Sequence, residues 1–300
     1  MNKLVVITGA TGTLGSRLMQ YHLEQNDFVL ALSRCDHKIS KFKAKFPNVL
    51  WCLGDIRNDL HGVLPTKANI VYHCAALKHV DMGEMYPSQY HDVNYTGTMN
   101  VFNHIDCEKF VYFSTDKAVL PVNFYGMSKA LAEKHLIAIK KATGRNIKVF
   151  RWGNIIGSQG SAIHGFIKQI EKGEVNITHP DMTRFWLNIE DAVQFATKEE
   201  HTSDNILIHP NIKAAKVVDL VAAIAHCMGS IGYSNPDADL IVTPAKYTTN
   251  IIGIRPGEKI HEHLKSDHDY CIRSDTAQQY TESELIALVG PTVSKYLAGE

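Results

Sequence analysis

Six short runs of the chain are apolar almost without interruption: KLVVIT (3–8), FVLALS (28–33), VLWCLGD (49–55), NIVYHCAA (69–76), KFVYFST (109–115) and NIKVFRWGN (146–154). Runs this short and this rich in β-branched and aromatic residues read as strands. Between them the period changes. In TLGSRLMQYHLEQ, Leu14, Leu18, Met19 and Leu23 recur at helical spacing. A polar helix follows the second run. Tyr95, Met99, Val101, Phe102 and Ile105 mark another helix, and one more carries Tyr125 and Lys129. Strands that do not alternate are buried on both faces, so the helices between them are crossovers of a parallel sheet. The expectation is an α/β fold with a doubly wound parallel sheet, right-handed crossovers, and ligands beyond the carboxyl ends of the strands.

After residue 151 the rhythm changes. Gly157, Gly160 and Gly165 break up a loop that leads into a helix, FIKQIEKG (166–173). NILIH (205–209) is a further apolar run able to return to the sheet. KVVDLVAAIAHCMG (216–229) reads as a helix and DLIVTP (239–244) as a strand. There is no internal repeat and no low-complexity linker. The expected division is a dinucleotide-binding domain over 1–153, completed by segments near 185–210. A smaller, interleaved C-terminal substrate lobe takes 154–184 and 211–300.

Composition narrows the partners. The chain has 300 residues, 45% of them hydrophobic, and a formal net charge of zero. A neutral balance gives no electrostatic reason for nucleic acid or an anionic membrane as partner. KISKFKAK (38–45) reads as a solvated helix face. No apolar run approaches the roughly 18 residues of a membrane span. The N-terminal apolar run flows into a Gly-rich turn rather than a cleavage site, which argues against a signal peptide. Cysteines 35, 52, 74, 107, 227 and 271 form no CxxC pair, which suits a reduced, cytoplasmic setting. His261 and His263 have no third ligand at metal spacing and read as surface histidines, so no metal is expected.

The first turn carries chemistry. ITGATGTLG places Gly9, Gly12 and Gly15 directly after the first strand and at the start of the first helix. Such glycines permit a tight turn and close backbone approach, and the helix N-terminus offers N–H groups to a pyrophosphate. This makes the sheet a Rossmann sheet with a dinucleotide cofactor. An acidic residue at the end of the second strand would hold a ribose diol. Ser33-Arg34 stand there instead, and arginine suits a 2′-phosphate. NADP is therefore expected over NAD, with Lys38 assisting the phosphate, although Asp36 keeps NAD open. Asp55 ends the third strand, where it is placed to accept a bond from the adenine amino group.

Tyr125 and Lys129 lie one helical turn apart and share a face. A tyrosine is a poor base near its usual pKa of about 10. A nearby ammonium and an oxidised nicotinamide both favour the phenolate. Lys129 can also bond the cofactor ribose, and Thr115, at the end of the fifth strand, can hold a sugar hydroxyl. An enzyme that only moves a hydride has no evident need for the adjacent acid and base, Asp116-Lys117.

Here the chain resembles the extended short-chain dehydrogenase/reductase family, and within it the inverting UDP-N-acetylglucosamine 4,6-dehydratases. The matching segments are TGATGTLG, HCAALKHVD, DVNYTGTMNV, STDKAV, YGMSK, FRWGNIIGSQGS, THPDMTRFWL and GIRPGEKIHEHL. The resemblance implies a job for the acid–base pair. Tyr125 takes the proton of the sugar C4 hydroxyl while NADP⁺ takes the hydride. The ketone acidifies the C5 hydrogen, which Lys117 removes. Asp116 donates a proton to the departing C6 hydroxyl, the hydride returns to C6, and reprotonation of C5 from the opposite face inverts it. Retaining relatives place Asp-Glu at this position, so Lys117 implies inversion.

The resemblance also assigns Thr11, Thr13, Leu14, Ile56, Cys74, Ala75 and Asn94 to the cofactor, and Lys78 to substrate or cofactor. Asn154, Ala162, Thr178, Arg184, Arg255 and Glu258 go to the UDP-sugar, with Arg255 on the pyrophosphate and Glu258 on the uridine ribose. It implies a homo-oligomer. LPVNF after STDKAV, and Cys74 where alanine is common, depart from the family pattern. Two other readings stay open: a UDP-hexose 4- or 5-epimerase, and an NADP-binding scaffold or sensor that no longer catalyses.

Overall fold

The computed structural model describes residues 2–158, 160–198, 205–231, 246–266 and 270–299. The chain forms two compact units, Met1–Trp152 with Ile189–His209, and Gly153–Asn188 with Pro210–Glu300.

The first unit is built on strands β1 (Leu4–Thr8), β2 (Phe28–Ser33), β3 (Leu50–Leu53), β4 (Lys67–His73), β5 (Asp106–Thr115) and β6 (Ile147–Trp152). A seventh strand, Ile206–Ile208, completes the sheet. The order is β3-β2-β1-β4-β5-β6 followed by Ile206–Ile208, and every pairing is parallel. The order reverses between β1 and β4, which is where a doubly wound sheet opens a ligand crevice. The fold is Rossmann-like. Helices α1 (Thr13–Glu24), α2 (Asp36–Lys45), α3 (Val80–Met85), α4 (Pro87–His91), α5 (Gly97–His104) and α6 (Phe124–Thr143) lie between the strands in sequence. Val6, Val71, Val101, Tyr112, Leu136 and Val149 form part of a continuous buried core, whereas α2 buries no residue.

Three details depart from the sequence pattern. β3 is shorter than its apolar run, and Leu50 and Leu53 stay exposed, because an edge strand has a neighbour on one side only. The helix expected around Tyr95 begins earlier, at Pro87, and widens into a single π turn at Asp92–Thr96. Ile105 falls just past its end, in extended backbone. The run DLIVTP lies outside the described residues.

The second unit packs helices Ala162–Glu171, Val217–Ile231 and Glu282–Leu297 around Ile163, Ile167, Leu220, Ile224 and Val289. Its three-stranded sheet runs Lys213–Lys216, Thr183–Leu187, Asn154–Ile155. Thr281 and Glu284 close a reciprocal capping box on the last helix. Among the described residues, no helix is long and apolar enough to cross a membrane.

Candidate active site

The turn after β1 leaves no room for a side chain at Gly9 or Gly15. Gly9 has a left-handed φ of 64°, and a Cβ there would sit 2.7 Å from the Ala75 nitrogen. A Cβ on Gly15 would lie 2.6 Å from the Gly9 carbonyl oxygen. Gly12 opens α1 without any side-chain cap and donates its N–H to the Gly9 carbonyl at 2.9 Å. Thr13 and Leu14 are the first two residues of α1. A crevice adjoins this turn, lined by Gly9, Thr11, Gly12, Ser33, Arg34, Lys38, Asp55, Ile56, Cys74 and Ala75. Bare backbone, an uncapped helix N-terminus and two exposed cations on one rim fit the phosphates of a dinucleotide.

Two of the assigned residues are engaged within the protein. Both oxygens of Asp55 accept from Arg57: Oδ1 from its backbone N–H and Nε at 3.0 Å each, Oδ2 from Nη2 at 2.8 Å. Arg57 holds the Asp55 carboxyl below the usual carboxylate range. An adenine amino group would therefore share an acceptor that is already bonded. Asn94 is engaged more fully. It is completely buried in the π turn; its amide donates to the Leu77 carbonyl and to Ser128 Oγ at 3.0 Å each, and accepts from the Leu77 N–H at 2.8 Å. With both donors spent, Asn94 ties the loop that carries Lys78 to α6.

A buried histidine, invisible as such in the sequence, extends this network. His73 ends β4. Thr98 Oγ1 donates to the Asn94 carbonyl at 2.7 Å, so it accepts from His73 Nε2–H at 3.0 Å. His73 Nδ1 then accepts from Thr8 Oγ1 at 3.0 Å. Burial draws the His73 pKa down to about 3, with Lys129 adding to the effect, and the ring is neutral. The histidine pair of the C-terminal segment is also not a surface pair: His261 accepts or donates at Thr183 Oγ1 (2.9 Å), and both rings are half-buried.

β5 ends in the acid–base cluster. Thr115 Oγ1 donates to Asp116 Oδ1 at 2.9 Å and accepts the Lys117 N–H at 3.3 Å, capping one 3₁₀ turn at Asp116–Ala118. Lys117 Nζ donates to the same Asp116 Oδ1 at 3.0 Å. Asp116 is fully buried, and Lys117 retains a small exposed area. Asn123 then caps α6 by accepting the Gly126 N–H at 2.7 Å. Gly126 is a further residue that sequence reasoning missed. A Cβ at Gly126 would lie 2.1 Å from the Lys117 carbonyl oxygen. The absence of a side chain lets the first turn of α6 press against the Asp116–Ala118 turn, bringing the backbone that carries Tyr125 to the backbone that carries Lys117. Lys129 is buried, with Nζ 4.1 Å over the Tyr112 ring. Burial draws its pKa down to about 7, and Glu133 and Cys74 oppose the fall.

The second unit carries the remaining assigned residues. Asn154 pairs in register with Trp186, and Ala162 is exposed at the start of its helix. Thr178 Oγ1 lies 3.2 Å from Met182 Sδ. Arg184 is buried; Nη1 donates to the Thr183 and Ile260 carbonyls at 2.8 and 3.1 Å, and Nε lies 3.9 Å from Glu262. Arg255 and Glu258 bracket a turn. Pro256 fixes its second position, and Gly257 supplies a φ of 80° at its third. The Arg255 N–H donates to Glu258 Oε2 at 3.2 Å, and the Glu258 N–H to the Arg255 carbonyl at 3.1 Å.

Comparison with known proteins agrees with this geometry. A model of the family described as "Polysaccharide biosynthesis protein" matches residues 5–284. The inverting UDP-N-acetylglucosamine 4,6-dehydratase of Campylobacter jejuni is 31% identical over 301 residues, spanning 96% of this chain and 84% of that one. The UDP-glucose 4-epimerase of Rickettsia canadensis is 33% identical over 303 residues, spanning 93% and 82%. Among solved structures, Pen from Bacillus thuringiensis aligns with a TM-score of 0.84 at 25% identity, spanning 97% of this chain and 98% of that one.

Proposed function

We infer the reaction from one premise: this chain belongs to the polysaccharide biosynthesis protein family of extended short-chain dehydrogenases/reductases. The reading is NADP-dependent 4,6-dehydration of UDP-N-acetylglucosamine with inversion at C5. The product is UDP-2-acetamido-2,6-dideoxy-β-L-arabino-hex-4-ulose, a precursor for surface glycans. The observation that carries it is the Thr115–Asp116–Lys117 cluster at the end of β5, seated through Gly126 against the helix of Tyr125 and Lys129.

Gly9, Thr11, Gly12, Thr13, Leu14 and Gly15 would hold the pyrophosphate, and Arg34 and Lys38 the 2′-phosphate that selects NADP over NAD. A nicotinamide held there would supply the redox chemistry, accepting a hydride from C4 of the sugar and giving it back at C6. Tyr125 removes the C4 hydroxyl proton, with the Lys129 ammonium favouring its phenolate. The Lys117–Asp116 hydrogen bond at 3.0 Å is a path for one proton. Moving it from Nζ to Oδ1 turns an ion pair into a free amine and a carboxylic acid, the two forms elimination needs. The amine then removes the C5 proton, and the acid protonates the leaving C6 hydroxyl, which departs as water. Lys117, now an ammonium, restores the ion pair with Asp116, and a solvent-derived proton added to C5 from the opposite face inverts that centre, while the proton taken by Tyr125 returns to solvent. Thr115 steadies the acid and a sugar hydroxyl.

Lys78 is proposed to reach substrate or cofactor. Asn154, Ala162, Thr178, Arg184, Arg255 and Glu258 are proposed contacts of the UDP-sugar. For Arg184, two backbone bonds through Nη1 leave Nη2 as the group to offer. The six free thiols suit a reducing cytoplasm, and the active form is proposed to be a homo-oligomer.

Incubation with UDP-N-acetylglucosamine in heavy water tests the reading. The expected product has lost one water and carries deuterium at C5 in the L-arabino configuration by NMR. The similarity to a UDP-glucose 4-epimerase favours one alternative, which predicts an isomer of unchanged mass with no C5 deuterium. That outcome would replace dehydration by epimerisation.

A further inference from the structure

Lys129 is 3% exposed, and an amine removed from water sheds its proton unless an anion offsets the lost hydration. Glu133 stands one turn along α6, is also 3% exposed, and shares a helix face with Lys129 by its i,i+4 spacing. Arg151 of β6 grips that carboxylate with two bonds, Nε to Oε2 at 3.2 Å and Nη2 to Oε1. The fork fixes both oxygens of the buried Glu133 side chain.

The other titratable groups around Lys129 are Tyr125 on its own helix, Tyr112 on β5, and His73 and Cys74 at the end of β4. Among the described residues, His73, Cys74 and Tyr112 supply no standing negative charge. His73 is neutral, and burial pushes the Cys74 thiol and the Tyr112 phenol up. Glu133 remains.

We propose that Glu133, clamped by Arg151, is the counter-ion of Lys129 and fixes the charge this amine presents to Tyr125 and the cofactor. Glu133 is a positioning residue, acting through Lys129. The inference rests on the reading of Lys129 given above. The opposing balance is visible in Lys129 itself: burial lowers its pKa to about 7, and Glu133 is the leading influence against a further fall.

The test follows the Lys129 side chain by NMR in protein carrying [13Cε]-lysine, without substrate, and identifies its signal by loss in Lys129→Arg. Glu133→Gln is expected to lower the midpoint by about one pH unit or more. Glu133→Asp, which keeps the charge, restores most of the shift. Glu133→Gln leaves Arg151 buried without its carboxylate. If that variant does not fold, Glu133→Gln/Arg151→Met removes both charges and is expected to move the midpoint in the same direction. An unmoved midpoint in the folded variant overturns the proposal. In Glu133→Gln the pH profile of kcat/KM should move with the NMR midpoint. A moved midpoint with an unmoved profile upholds the counter-ion and refutes the catalytic role of Lys129.

Discussion

Replacing Gly126 by alanine adds a single methyl group to the first turn of α6. Helix propensity alone predicts a gain of about 1 kcal/mol, since glycine is the poorer helix former. The tertiary structure reverses that sign. The new Cβ would lie 2.1 Å from the Lys117 carbonyl oxygen and 3.2 Å from Asn123 Oδ1. The first neighbour is backbone and has no rotamer to swing away. Relief requires α6 and the Asp116–Ala118 turn to part by about 1 Å, a displacement on the scale that costs about 10²-fold in rate when catalytic groups are misplaced. Overpacking of this kind costs about 1–3 kcal/mol, so the net loss of stability is about 0–2 kcal/mol. At about 2–4 °C per kcal/mol, the melting temperature falls by several degrees at most. The expected signature is that disproportion: a small change in Tm and a fall of about two orders of magnitude in kcat for keto-sugar formation. Differential scanning fluorimetry and a mass-spectrometric turnover assay on the same preparation measure both. A Gly126→Ala protein that turns over at the parental rate would show that the two turns need not touch, and the reasoning would fail.

Three further outcomes are expected. Lys117→Ala should stop solvent deuterium from entering C5 and lower kcat by about 10²–10⁴-fold; parental deuterium incorporation would place the base elsewhere. Arg34→Ala should weaken NADP binding by about 10–100-fold, the worth of a charged hydrogen bond of about 1.5–3 kcal/mol, and leave NAD binding nearly unchanged. Equal losses for both, measured by calorimetry, would remove Arg34 from the 2′-phosphate site. The third concerns acid stability. His73 titrates at about 3 in the fold against 6.5 ordinarily, so between those values the unfolded chain binds the extra proton. Stability is then full above about pH 6.5 and falls as pH drops through that window, by about 1.4 kcal/mol per unit at its steepest. Urea midpoints at two pH values within and above the window should differ less in His73→Gln than in the parent; identical differences would rule His73 out.

Much of the first unit was legible because its signals are local. β1 and β2 follow their apolar runs and β5 ends with its own, and the turn at Gly9 announces itself by three glycines spaced from the end of a strand into the first turn of a helix. The Asp116-Lys117 pair and the Tyr125–Lys129 spacing are likewise contiguous strings. What escaped is what depends on the opposite wall. His73 sits in an apolar strand, a hint of burial, but nothing along the chain says that Thr8 and Thr98 flank it. Glu133 follows Lys129 at helical spacing, a signal that was available, yet its partner Arg151 lies on another strand. Nor does the sequence show that the Asn94 amide bonds Leu77 and Ser128.

The sequence by itself determined the alternation of strand and helix, the glycine-rich turn after β1 and the chemical identity of the side chains that end β5 and open α6. Each of these follows from the covalent order of residues and the period of burial along one element. The tertiary structure alone decided which buried polar groups face one another, which carboxylates are already bonded, and that Gly126 must lack a side chain. Those are contacts between segments distant in sequence. Their energies depend on separations of a few tenths of an ångström in a close-packed interior, which no one-dimensional pattern records.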